Sequence, residues 1–211
     1  MTTRWLDMTL RDFQSALASS SPTPGGGTAA AIALGQASAL TLMVSDLTLG
    51  KEKWKDGWEI AEKSVTVAIK AMNRAGELAT EDSDSFDAVM SSFKLSKETE
   101  EDKEVRRDAI RSATLNAAKV PFETACYALE LLEILPDLAS KGNANAVSDV
   151  GVAGLLASAA CKGALFNVQI NLDSIPEEMG TELRNEAPIV HEKSRLLSRK
   201  VMDSVRDRLA S

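Results

Sequence analysis

Histidine and cysteine are nearly missing from this sequence. The 211 residues include one histidine, His191, and two cysteines, Cys126 and Cys161, which are far apart and form no CxxC pair. We therefore expect neither a metal site nor a disulfide framework, and interpret both thiols as small buried side chains. Chemistry that pairs a serine or cysteine with a histidine has equally little basis. Any acid or base should be a carboxylate, with a lysine as the alternative.

Positive charge is also in short supply. The 31 acidic residues outnumber the 24 lysines and arginines, so the formal net charge is -7 and the sequence pI is about 4.9. Proteins that bind nucleic acid or anionic membrane surfaces concentrate basic residues. Nucleic acid and membranes are therefore not expected partners.

Uninterrupted apolar runs are equally scarce. The N-terminal sequence MTTRWLDMTLRDF mixes charged with apolar residues, unlike a secretion signal, so the expected location is the cytoplasm. Residues 13–45 carry no charge, but SSSPTPGGG interrupts them and alanine dominates the apolar remainder. A buried helix of a soluble protein fits this composition better than a membrane span does.

Strand patterns are missing as well. Aromatic residues make up 4% of the chain, and no apolar alternation of strand length stands out between turn signals. Alanine, leucine, glutamate and lysine, which favour helices, are abundant. The expected fold is all-α, a single-domain helical bundle over residues 1–211 with two buried small-residue helices.

Apolar spacing and helix-breaking residues predict the first three helices. Thr9 with Asp12 forms a capping-box-like start of a short first helix. A second helix is expected over residues 28–49, after the prolines and glycines of the preceding turn. An amphipathic third helix should begin at Trp58, and residues 81–85 either continue it or mark a kink.

Prolines divide the second half of the chain. Pro121 either kinks the next helix or restarts it, and Pro136 with the following KGNANA turn should end it. Residues 146–172 hold only two charges and predict a second central helix, apolar on every face. The amphipathic tail over residues 176–211 should cover the core.

The two nearly uncharged helices predict an oligomer. A helix that is apolar all round must be covered all round, and a bundle of this length has little material with which to cover two of them. Alanine and glycine recur along both helices and permit close approach of backbones. We expect such helices to pack across the two-fold axis of a homodimer.

The turn before the second helix is the first candidate site. Gly25, Gly26 and Gly27 open that helix, where free backbone N–H groups and the positive end of the helix dipole can hold an anion or a polar ring edge. No GKS or GKT follows, so the turn is not a P-loop. The alternative is a loop that only needs tight geometry to enter the helix.

Two groups of carboxylates are further candidates. The run EDSDSFD, which includes Asp82, precedes an apolar helical face, where desolvation or like charges could raise a carboxyl pKa. The turn GNANAVSD delivers Asp149 to the start of the second central helix. The alternatives are a solvated helix start for the first and a simple helix cap for the second. Asn167 and Asn171 share one face later in that helix.

Six blocks occur together and in order: PTPGGGTAAAIALGQASAL, VSDLTLGKEKW, EDSDSFDAVM, AAKVPFETA, KGNANAVSDVGVA and FNVQINL. Together they resemble the family named for the cyclodeaminase domain of formiminotransferase-cyclodeaminase, which also includes methenyltetrahydrofolate cyclohydrolases. The resemblance covers about residues 10–172 and weakens in the C-terminal helix. It implies an α-helical, dimeric enzyme that acts on tetrahydrofolate carrying a one-carbon unit.

The resemblance leaves the reaction open. The preferred hypothesis is a cyclodeaminase that converts 5-formimino-tetrahydrofolate into 5,10-methenyltetrahydrofolate and ammonia. The alternative is a cyclohydrolase that interconverts 5,10-methenyl- and 10-formyl-tetrahydrofolate, and a further alternative is a non-catalytic folate-binding helical protein. No cofactor is expected beyond the folate substrate itself.

Carried onto matching positions, the resemblance also implies site residues. Asp82 and Asp149 become candidate acid/base or cation-stabilising groups. The implied substrate contacts are Gly25, Gly26, Gly27, Lys51, Asn143, Asn145 and Asn167. Lys51 and the lysines after it could meet the glutamate tail of a folate, or could simply be solvated.

Overall fold

The computed structural model describes residues 4–210, which form six α-helices. These are Leu10–Leu17 (α1), Gly26–Thr48 (α2), Trp58–Ser92 (α3), Glu100–Lys141 (α4), Val147–Asp173 (α5) and Thr181–Ala210 (α6). Short 3-10 turns, Trp5–Asp7, Glu52–Gly57 and Ala144–Ala146, precede α1, α3 and α5. Within residues 4–210 there is no strand, so the expectation of an all-α fold is confirmed.

Helices α2 to α5 form a four-sided bundle. α2 packs against α3 and α5, α4 packs against the same two helices, and α6 lies over α4 and α5. The two small-residue helices meet closely, because a Cβ added at Gly163 would lie 3.6 Å from Ala30 Cβ. Their inward faces are almost fully buried, as are Leu34 and Val168.

The sequence predicts where the helices end better than it predicts where they are interrupted. Thr9 caps α1 as expected, since its hydroxyl oxygen accepts a hydrogen bond from the Asp12 backbone N–H at 3.2 Å. Residues 81–85 simply continue α3. The KGNANA turn ends α4 at Lys141 as expected, but the expected part of Pro136 in that ending is wrong, because α4 runs through both Pro121 and Pro136. Both prolines are buried, and core packing on either side holds the helix together despite the lost hydrogen bonds.

The outer side of α2 and α5 is apolar and exposed. By length and composition both helices could cross a membrane, and 50% and 56% of their apolar windows are buried inside the bundle. Their remaining surface carries large exposed side chains: Met43, Leu47, Val152, Leu155, Phe166 and Ile170. None of the helices over residues 4–210 covers this apolar face.

Candidate active site

A cleft of about 230 Å³ opens where the start of α2 meets α3, α4 and the end of α5. Its lining residues are Pro22, Thr23, Gly25, Gly26, Gly27, Asp82, Ser85, Phe86, Ala117, Asn167, Ile170 and Asn171. Among these, Asp82 is the one titratable side chain. The structure therefore joins the glycine turn, the first carboxylate run and an asparagine of α5 in one place.

Asp82 is a half-buried carboxylate held by the start of α2. Its Oδ2 accepts a hydrogen bond from the Thr28 hydroxyl at 3.0 Å. Burial raises the pKa of Asp82 above its usual value, and hydrogen bonds from the Thr28 side chain and backbone N–H partly oppose the rise. A carboxylate in such a setting can exchange protons nearer neutral pH than a solvated one.

The Asp82 carboxyl leaves no space for a side chain at Gly27. A Cβ added at Gly27 would overlap the Asp82 carboxyl group, whereas one at Gly25 or Gly26 would lie 3.8 or 3.9 Å from its nearest neighbour. At Gly27, the group that comes close to the backbone of this turn is therefore the Asp82 carboxyl. Gly25 and Gly26 leave room beside the cleft for a flat ligand.

Two asparagines of α5 form the polar wall opposite. Asn167 donates through Nδ2 to the Gly163 carbonyl at 2.9 Å, and Asn171 donates to the Ala117 carbonyl of α4 at 2.9 Å. Their orientation is thus fixed by the backbone. Each amide oxygen remains an acceptor suited to the N–H groups of a heterocycle.

The cleft combines features suited to a planar, positively charged ligand. Phe86 and Ile170 offer partly exposed apolar surface, the two amides offer hydrogen bonds, and Asp82 offers a negative charge that also takes up protons. Within the described residues no group of three or more His, Cys, Asp or Glu side chains could hold a metal ion.

The remaining candidates lie at the opposite end of the bundle. α2 has 23 residues, so Lys51, just beyond its C-terminus, is about 35 Å from the glycine turn. Asn143 sits at the same end, with its backbone N–H donating to Thr48 Oγ1 at 3.0 Å and its side chain to the Leu47 carbonyl at 2.9 Å. Asn145 donates its backbone N–H to Asn143 Oδ1 at 3.0 Å.

Asp149 belongs to this second group. It is half-buried in the first turn of α5, and Asn167 follows it about five turns, or about 27 Å, later on the same helix. Asp82 and Asp149, the two candidate acid/base or cation-stabilising groups, therefore lie far apart within one protomer. The long helix α4 lies between EDSDSFD and GNANAVSD in the chain and holds the two segments at opposite ends of the bundle.

Sequence reasoning overlooked three residues around Asp82. Trp5, Thr28 and Ser83 are buried, at 8%, 0% and 6% exposure, and are joined by hydrogen bonds that end on the carboxylate. Trp5 lies in the segment considered only for its lack of a secretion signal. A chemical argument could have pointed to Trp5, since a tryptophan buried near the start of a chain needs a partner for its indole N–H.

Known proteins are similar to this chain over most of its length. A family model described as formiminotransferase-cyclodeaminase matches residues 9–187. A methenyltetrahydrofolate cyclohydrolase of Methylorubrum extorquens is 38% identical over 178 residues, which cover 83% of this chain and 85% of that protein. A formimidoyltransferase-cyclodeaminase of Gallus gallus is 34% identical over 79% of this chain, which spans only 31% of the longer protein.

A solved structure shares the architecture. The crystal structure of formiminotetrahydrofolate cyclodeaminase from Thermotoga maritima matches with a TM-score of 0.79 and 27% sequence identity. The match covers 96% of each chain. The helical arrangement that builds the Asp82 cleft therefore extends to that structure.

Proposed function

Because the chain belongs to the formiminotransferase-cyclodeaminase family of folate one-carbon enzymes, we propose that it is a methenyltetrahydrofolate cyclohydrolase. The observation that carries the proposal is the 38% identity to a cyclohydrolase of matching extent, since the match covers 85% of that protein. The cyclodeaminase preferred from the sequence becomes the second candidate. The cleft around Asp82 is the proposed site of the reaction.

The chemistry of the cleft suits hydration of a cationic carbon. The 5,10-methenyl group carries a positive charge, which a carboxylate beside it stabilises. As water adds to that carbon, Asp82 accepts one of its protons. Protonated Asp82 then returns the proton to N5 while the bond from carbon to N5 breaks. The proton of the new hydroxyl group leaves to solvent as the 10-formyl carbonyl forms.

The positions of the other cleft residues support this role. Gly25 and Gly26 leave space for the pterin, and the asparagines of α5 are fixed where ring N–H groups can be bound. Gly27 admits the carboxylate to the edge of that space. Asp82 is then the group that meets the one-carbon unit.

The cyclodeaminase remains a second candidate because of the solved structure. That neighbour is named a formiminotetrahydrofolate cyclodeaminase and shares 27% identity over nearly the whole chain. In this reaction N10 attacks the formimino carbon and ammonia leaves, so Asp82 would pass a proton to the departing nitrogen. The same carboxylate serves either reaction.

Two assays on the purified protein separate the candidates. A cyclohydrolase accelerates the loss of methenyl absorbance from 5,10-methenyltetrahydrofolate beyond the buffer rate. A cyclodeaminase generates that absorbance, with ammonia, from 5-formimino-tetrahydrofolate. Acceleration of the second reaction alone would reject the cyclohydrolase, and no acceleration of either would reject both enzymes and leave a folate-binding protein.

A homodimer that shares its active sites accounts for the exposed apolar face and for the second group of residues. The face measures about 35 by 20 Å, or roughly 700 Å², close to the ~800 Å² that each partner buries in a standard interface. A two-fold axis perpendicular to the helices would place the Lys51 end of one protomer beside the Asp82 cleft of its partner. Lys51, Asn143, Asn145 and Asp149 would then act on the substrate bound by the other copy.

A further inference from the structure

Trp5 connects the N-terminal segment to α3 at the residue next to Asp82. Its indole Nε1–H donates to Ser83 Oγ at 2.9 Å, and its ring meets Phe13 edge-on with centroids 6.2 Å apart. The residue is 8% exposed and precedes residue 9, where the match to the family model begins. No role in the reaction follows for it from the family.

Two hydroxyl groups continue this contact to Asp82. Ser83 Oγ lies 3.1 Å from Thr28 Oγ1, and Thr28 donates to Asp82 Oδ2 at 3.0 Å. Thr28 is fully buried and Ser83 nearly so. The side chains of Trp5, Ser83, Thr28 and Asp82 thus form a hydrogen-bonded chain, which we call the indole–carboxylate chain.

The donor at one end of this chain and the acceptor at the other fix its direction. An indole N–H can only donate, whereas a hydroxyl group has one proton to donate and lone pairs that accept. Ser83 accepts from Trp5, so its own proton can point at Thr28, whose proton then points at Asp82. Thr28 gives its single proton to Asp82 Oδ2, so Ser83 is the donor in its contact with Thr28. A hydroxyl group that accepts a hydrogen bond becomes a stronger donor, so the indole strengthens the two hydrogen bonds that follow it.

We propose that Trp5 is a positioning residue that acts through Ser83 and Thr28 to hold Asp82 Oδ2 as an acceptor, which leaves Oδ1 to carry the exchangeable proton. The proposal rests on the assignment of Asp82 as the proton-transfer group. Of the carboxyl atoms, Oδ1 lies nearest the position that a Gly27 Cβ would take, so it is on the side of the glycine turn.

Within residues 4–210, no charged side chain near the Asp82 carboxyl could position it in place of Trp5, Ser83 and Thr28. Burial and the two Thr28 hydrogen bonds are the causes of the Asp82 pKa shift, and no charged side chain is among them. On α3 its charged neighbours are Glu81 and Asp84, while the described residues of α2, α4 and α5 place no charged side chain in the cleft. Arg4 and Asp7, which flank Trp5, line a separate groove with Glu77 and Glu81.

The test is the pH dependence of kcat for methenyl hydration in Trp5→Phe. Removing the indole donor makes the Ser83 hydroxyl a weaker donor to Thr28, and this in turn weakens the Thr28 hydrogen bond that favours the Asp82 carboxylate. The limb on which activity falls with falling pH should then move to higher pH, by roughly half a unit to one unit. Ser83→Ala should move it the same way, and Ser83→Thr, which keeps a hydroxyl, should not.

Trp58→Phe is the matched control, because Trp58 Nε1 donates to the Thr48 carbonyl at the other end of α2 at 3.1 Å. Its pH limb should stay in place. A Trp5→Phe limb that coincides with the wild-type limb, or moves no further than that of Trp58→Phe, would overturn the proposal. If Trp5→Phe does not fold, an unshifted limb in Ser83→Ala would overturn it equally. A limb that persists in Asp82→Asn would instead remove the assignment of Asp82 itself.

Discussion

At the scale of single residues, Gly27 is the position where one methyl group should separate activity from folding. The added Cβ of Gly27→Ala must push the Asp82 carboxyl out of its place against Thr28. A displacement of about 1 Å at a catalytic group costs on the order of 10²-fold in rate. We expect kcat for the folate reaction to fall by tenfold to roughly a hundredfold, as measured by steady-state kinetics.

Gly35→Ala on the same helix is the control. Its Cβ would lie 3.6 Å from Ala75 Cβ, which is an ordinary contact, and alanine favours a helix interior by about 0.5–1 kcal/mol. That variant should keep its kcat and melt at an equal or higher temperature. Equal activity of the two variants would show that the position of Asp82 does not matter to the reaction.

The residue scale also shows where sequence reasoning stopped. Residue patterns together with the family resemblance brought Asp82, Asn167 and the glycines to attention, and the structure places them around one cleft. The sequence could not reveal that Gly27 makes room for Asp82, nor that Trp5 contacts Ser83, which lies far from it in the chain. Such contacts depend on how separate helices pack, which no local pattern records.

At the scale of helices, the close packing of α6 on α5 predicts a stability effect. A Cβ added at Gly154 would lie 2.7 Å from Val201 Cγ1 and 3.2 Å from Met202 Cε. Gly154→Ala should therefore lower the free energy of unfolding by about 1–3 kcal/mol, because the core must shift to admit it. Denaturant unfolding measures the change.

Gly151→Ala provides the comparison one turn earlier. Its Cβ would meet Val205 at 3.4 Å, a normal contact, so the gain in helix propensity of up to about 1 kcal/mol should prevail. If both variants had the same free energy of unfolding, α6 would not pack on α5 as described.

Helix positions were largely predictable, and helix interruptions were not. Apolar spacing located α2 and α5 to within a few residues and gave the start of α3, and the Thr9 cap gave the start of α1. The error at Pro136 arose because the local cost of a proline was weighed without the packing that offsets it. Buried contacts on both sides of a proline are a tertiary property.

At the scale of the whole molecule, the apolar face of α2 and α5 predicts a dimer. Leu155 is 58% exposed on that face, and an aspartate there would have to be buried in the interface. Light scattering should give a mass near twice 22.6 kDa for the wild type and near 22.6 kDa for Leu155→Asp. Leu209→Asp, at a leucine 65% exposed on α6, should remain dimeric. A monomeric wild type would contradict the proposal.

Shared active sites make a further prediction for mixed dimers. Asp82→Asn and Lys51→Ala should each lower the activity of their homodimers. A heterodimer purified through two different tags has one cleft with both residues intact, so it should regain about half of the wild-type activity per dimer. A heterodimer no more active than its parents would place Lys51 and Asp82 in separate functions, and so would a fully active Lys51→Ala homodimer.

The central claim, that Asp82 transfers the proton in a folate one-carbon reaction, is tested most directly by the rate of methenyl hydration in Asp82→Asn across pH. The raised pKa of Asp82 predicts that wild-type kcat falls as pH drops through it, since the carboxylate accepts the proton. The asparagine variant should lose about 10²-fold or more in kcat at neutral pH and lose this limb, while folate binding persists. A variant with wild-type kcat and an unchanged limb would contradict the account.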